Sequence, residues 1–161
     1  MTSHDFLNRA IALAFDNVAQ GGRPFGAVVV KGGRVIAQGV NRMHLDHDPT
    51  AHAELLSLRS AAQVLGTTRL EGCEIYASGQ PCPMCLAAIK MAGIRSITFG
   101  YSNQQAEPFG LSTAAVATEL AKPVDQQNDW VIRHCPPSSD QGDDLYATWQ
   151  AMNTPGNQPT P

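Results

Sequence analysis

His52-Ala53-Glu54 is followed, after 26 residues, by Pro81-Cys82-Pro83-Met84-Cys85. Taken alone, the Cys-x-x-Cys spacing serves zinc or redox chemistry equally well. At the start of a helix, residues i and i+3 share one face, so Cys82 and Cys85 can grip a single ion together. A helix N-terminus also favours thiolate over thiol, the form a metal needs. His52 supplies a third ligand. Three protein ligands leave the fourth tetrahedral position of a Zn²⁺ ion open, which marks a catalytic rather than a structural site. Glu54 sharpens this reading. Inside a helix, positions two apart point roughly 200° away from each other, so His52 and Glu54 converge only at a helix end. Glu54 then stands beside the open position without being a ligand, ready to take a proton from water.

The elements that must position these residues are legible in the pattern around them. Apolar residues at Phe6, Ile11, Leu13, Ala14, Phe15 and Val18 predict a helix over about 4–20, stopped by Gly21-Gly22. Ala27–Lys31 and Val35–Asn41 flank Gly32-Gly33 and read as a hairpin. Asp48-Pro49-Thr50 reads as a helix start, with Asp48 as cap and Pro49 at the first helical position. Behind it Leu55, Leu58, Ala62 and Leu65 form one stripe, ending near Gly66. Strands are expected at Glu74–Ala77, Ile94–Tyr101 and Val131–His134, and helices at Pro81–Ala92, Thr113–Ala121 and Asp143–Met152. Strands alternating with helices after one hairpin predict an α/β layered domain with a mixed sheet. The expected domain spans 1–152, and 153–161, with three prolines in nine residues, is expected to be a loose tail.

Composition narrows the partners. The chain is 43% hydrophobic and only 16% charged, too apolar for a disordered segment. Its longest apolar runs fall far short of the ~20 residues of a spanning helix. Met1 to Arg9 show no apolar core behind a basic start, so the expected location is the reducing cytoplasm, where close cysteines bind metal more often than they form disulfides. Net charge is −3. Residues 1–100 hold nine basic and seven acidic side chains, residues 101–161 two and seven. With no Lys/Arg cluster, a polymeric nucleic-acid partner is disfavoured and a small molecule favoured. Cys73 and Cys135 are expected to pack in or beside strands, and His44-Leu45-Asp46-His47-Asp48 to face solvent rather than hold a second metal.

The H-x-E and P-C-x-x-C pair resembles the zinc nucleobase deaminases. With Pro24-Phe25-Gly26-Ala27 and Asn41, it resembles the cytidine/deoxycytidylate deaminase superfamily over about residues 5–150. Asp48–Glu54 and Pro81–Cys85 are most similar to the small bacterial guanine deaminases and the nucleoside deaminase group. The resemblance implies a three-layer α-β-α fold with a mixed five-stranded sheet, a Zn²⁺ cofactor on His52, Cys82 and Cys85, and Glu54 as the catalytic acid–base. It further implies that Asn41 hydrogen-bonds the base and that Phe25 and His52 sandwich its ring. Backbone groups at Ala53 and Pro81 would fix the base's edge. The implied activity is hydrolytic release of ammonia from a free nucleobase, with guanine or a related aminopurine favoured, by a homodimer. Cytosine, cytidine or another nucleoside, tRNA adenosine, and a non-catalytic zinc-stabilised scaffold stand as alternatives. Three departures bear on the substrate. The segment Pro108-Phe109-Gly110-Leu111-Ser112 lacks the acid of guanine deaminases, Met91 replaces an aromatic residue, and Gln80 replaces the usual Glu. Phe109, Tyr146 and Trp149 are candidates to close the pocket.

Overall fold

The structure is a computed structural model that describes residues 2–137 and 144–153. Two units divide the chain, residues 1–127 and 128–161. In the first, α1 (Ser3–Ala19) opens with Thr2 as N-cap, in a capping box with Asp5. Then come β1 (Gly26–Lys31), β2 (Arg34–Val40), a single-turn helix α2 (Met43–Asp46) and α3 (Ala53–Leu65). They are followed by β3 (Cys73–Gly79), α4 (Pro83–Met91) and β4 (Ser96–Tyr101), then by α5 (Asn103–Ala106), a 3₁₀ turn at Glu107–Phe109 and α6 (Ala114–Leu120). The second unit holds residues 128–137 without regular structure and α7 (Leu145–Met152).

The strand order is β2-β1-β3-β4. β1 runs antiparallel to both neighbours, and β3 and β4 are parallel, joined by α4 as a crossover. Gly32 and Gly33, with φ of +56° and +72°, make the two-residue turn of the hairpin, a backbone that other residues adopt at a cost. β1 is buried on both faces, as expected of a strand covered by helices on two sides. Val28 and Val30 meet Tyr76 and Phe6 of α1 on one face. Val29 and Ile75 meet Leu58 and Ala61 of α3 and Ile89 of α4 on the other. The mixed three-layer α-β-α architecture is therefore present.

The sheet has four strands among the described residues, not five. Val131–His134 forms no strand: the run is four residues long and is followed after Cys135 by Pro136-Pro137, which have no N–H to give a ladder. Cys135 is accordingly exposed, against expectation, while Cys73 is buried in β3. The expected Pro-rich tail lies, apart from Asn153, outside the described residues.

One close approach brings the site's helix onto the sheet. A Cβ at Gly39 of β2 would stand 2.6 Å from the carbonyl oxygen of Ala53 and 2.9 Å from the nitrogen of Ser57. Both are backbone atoms of α3, so neither can swing aside. Gly39→Ala is expected to destabilise the protein by about 1–3 kcal/mol, the usual cost of overpacking, read as a lowered urea midpoint. An unchanged midpoint would contradict the tight β2–α3 contact.

Candidate active site

Asp48-Pro49-Thr50 does not start α3. The Asp48 carboxylate accepts from the backbone nitrogen and the hydroxyl of Thr50, each at 2.7 Å, closing a local Asx turn. Arg59 on α3 reaches back to this turn, donating to the Thr50 hydroxyl at 2.9 Å, and the His52 nitrogen donates to the Thr50 carbonyl at 2.7 Å. The helix begins five residues after Asp48, with His52 as N-cap and Ala53 its first residue. The convergence expected of His52 and Glu54 holds for this different reason: one is the cap and the other lies in the first turn. Cys82 is likewise the N-cap of α4, with Pro83 at the first helical position and Cys85 in the first turn. Neither cap residue makes a side-chain hydrogen bond of the usual capping kind. Two helix N-termini, each favouring negative charge, thus carry the four residues.

Nδ1 of His52 lies 3.5 Å from Sγ of Cys82 and 3.6 Å from Sγ of Cys85. Zn–S bonds of about 2.3 Å and Zn–N bonds of about 2.0–2.1 Å at tetrahedral angles demand an S···N edge of about 3.5–3.6 Å. The ligand atoms of these three residues all lie within 4.8 Å of one another, the one such group found among the described residues. Donor type and spacing both fit Zn²⁺. The protein's own hydrogen bonds prepare the thiolate. A bond from the Cys85 thiol brings Cys82 down to about 4 against burial, with His52 and the Cys85 backbone N–H adding to it. Cys85, donor of that bond and itself buried, is pushed up, and the separate hydrogen bond between His52 and Cys82 raises His52. Burial raises Glu54, which is only 7% exposed. A carboxyl held in such surroundings is suited to accept and return a proton.

Phe25 packs with Ala27, Ala53 and Ala77, against the first turn of α3. Asn41 is buried. Its Oδ1 accepts from the Met43 nitrogen at 3.2 Å, and its backbone nitrogen donates to the Phe25 carbonyl at 3.0 Å. That contact fixes the sense of the Asn41 amide and leaves Nδ2 as its donor. Ala53 and Pro81 are buried. Phe25 and Phe109 both line an apolar cavity of about 350 Å³ between α1 and the segment after β4; His52, Glu54, Cys82 and Cys85 do not line it. Oε1 of Gln80 accepts from the Asn103 nitrogen at 3.0 Å, which anchors that segment. Met91 is exposed at the end of α4. Tyr146 and Trp149 are exposed on α7 of the second unit. In the His44–Asp48 run, Asp46 is paired with Arg42, and Asp48 with Thr50 and Arg59.

Residues 1–101 match the family model described as the cytidine and deoxycytidylate deaminase zinc-binding region. The chain belongs to that family and is a zinc-dependent hydrolytic deaminase. Its sequence is 41% identical to guanine deaminase from Bacillus subtilis over 128 residues, 79% of this chain and 82% of that one. The solved structure of the Bacillus subtilis guanine deaminase superposes with a TM-score of 0.81, covering 99% of both chains at 34% identity. Guanine deaminase from Nitrosomonas europaea gives a TM-score of 0.66 at 30% identity, over 70% of this chain and 65% of that one. The tRNA-specific adenosine deaminase of Agrobacterium fabrum is 48% identical over 77 residues, 48% of this chain and 51% of that one. No described helix is long and apolar enough to cross a membrane.

Proposed function

We propose that this deaminase acts on a free nucleobase, with guanine or a related aminopurine as substrate. The observation that carries the reading is the likeness to a guanine deaminase along 99% of both chains at a TM-score of 0.81. A solved tRNA:A34 deaminase is matched over 62% of this chain and 72% of that one, at a TM-score of 0.60. The acidic balance of residues 101–161 supports it, since phosphate recognition needs basic side chains. We assign His52, Cys82 and Cys85 as the ligands of the zinc ion and Glu54 as the acid–base. When bound there, zinc supplies Lewis-acid activation of water at neutral pH.

Glu54 takes a proton from the attacking water and passes it to a ring nitrogen, then takes the second proton from the new hydroxyl on the attacked carbon and gives it to the departing amine. A C–O bond forms, the C–N bond breaks, and ammonia leaves. Segment 108–112 contains no acid, and this reading assigns the proton work to Glu54. Asn41 donates to the base through Nδ2, Phe25 and His52 flank its ring, and backbone groups at Ala53 and Pro81 meet its edge. The working form is a homodimer in the cytoplasm, where thiols stay reduced.

The test is ammonia release by the zinc-loaded protein from guanine, adenine, cytosine, their nucleosides and tRNA. Release from guanine or another aminopurine base is expected. Silence on every free base, or salt-sensitive deamination of tRNA alone, would overturn the reading.

A further inference from the structure

Two loops carry Phe25 and Asn41, two of the three side chains assigned to the substrate ring, and both hang from one residue outside the site. Asn17, near the C-terminal end of α1, donates through Nδ2 to the carbonyl of Arg23 at 2.7 Å and to that of Asn41 at 3.0 Å. Both acceptors are backbone carbonyls, so only the amide nitrogen can face them. Arg23 precedes Pro24-Phe25 in the stretch between α1 and β1, and Asn41 sits in the connection between β2 and α2. Neither stretch has regular secondary structure of its own. The Asn41 nitrogen closes the ring of contacts by donating to the Phe25 carbonyl at 3.0 Å, and the Gly22 nitrogen donates to the Asn17 carbonyl at 2.7 Å. From this geometry we infer that Asn17 is a positioning residue that sets the separation of Phe25 and Asn41, and with it the fit of the substrate ring. The inference rests on the roles proposed above for those two residues.

Asn17 reaches the site only through backbone atoms, and neither the zinc ligands nor Glu54 depends on its hydrogen bonds. Its loss therefore weakens ring binding in ground and transition states alike, which raises KM more than it lowers kcat. Gly22 gives an independent handle. A Cβ there would stand 2.4 Å from Asn17 Nδ2, so Gly22→Ala displaces the same carboxamide without deleting a donor.

The experiment compares the zinc-loaded parent with Asn17→Ala, Asn17→Asp, Gly22→Ala and the Asn17→Ala/Gly22→Ala pair, using the base that the parent deaminates best. Zinc content is expected to stay at the parent level in all four. KM should rise about tenfold or more, with kcat changed by less than about threefold. The pair should be no worse than Asn17→Ala alone, because both changes act on one group. Gly22→Ala still reports where an Asn17 variant folds too weakly to assay. A parental KM in the single variants, or an equal loss of kcat and zinc, would overturn the positioning role while leaving the proposed function standing. A parent silent on every base would overturn the functional reading, and this inference with it.

Discussion

Glu54→Gln is expected to keep its zinc and its fold and to lose ammonia release by about 10²–10⁴-fold, the usual worth of a positioned acid–base. The substitution changes one oxygen to an amide nitrogen and little else. Glu54 lies in the first turn of α3, 7% exposed, beside the ligand group but not part of it. Removing its charge therefore leaves the two thiols and the imidazole where they are. It also relieves the cost of burying a carboxylate, so the melting temperature should not fall. The measurement pairs metal analysis and thermal melting with initial rates on the preferred base. The scaffold alternative forecasts no ammonia release from parent or variant, because a purely structural site has no use for Glu54. More than about a tenth of parental activity in this variant would remove Glu54 from the chemistry.

The chemistry was more legible in the sequence than the local structure that delivers it. His52, Glu54, Cys82 and Cys85 could be grouped because a three-ligand zinc site with a nearby base requires those residue types. The 30-residue separation of His52 from Cys82 leaves no mark in any helical or strand period. The start of α3 was misread because Asp and Pro serve turns and helix caps alike. What decides between them is where the Asp48 carboxylate finds its donors, and it finds both on Thr50. α2 was invisible for a related reason: one turn of helix has no periodicity to detect. Gly39 reads as an ordinary strand residue until its contact with Ala53 and Ser57 is known. Asn17 carried no signal either. It lies in an amphipathic helix as a polar residue of no special pattern, and its role depends on two carbonyls brought to it by the sheet.

Stripping zinc from the parent with a chelator should abolish activity while leaving most of the fold intact, and restored zinc should bring the activity back. The core is the reason to expect a fold that stands without the ion. Val29, Leu58, Ala61, Leu70, Ile75 and Ile89 form one buried cluster between the sheet and α3 and α4, and a domain of this length buries enough surface to stand without a metal. The ion still binds the folded state alone, so its removal should lower the melting temperature by the mass-action term set by affinity and free zinc. Cys85→Ser should imitate the stripped protein but resist rescue. Cys85 is fully buried, and a hydroxyl there gives zinc a ligand it disfavours. Far-UV circular dichroism, melting and ammonia release, followed through stripping and reloading, separate the two roles a metal can have. Activity lost with the helical signal retained makes the site catalytic. Helical signal and activity lost together on chelation would give zinc a structural role as well, and only a parent without activity that merely unfolds on chelation would make zinc the staple of a scaffold.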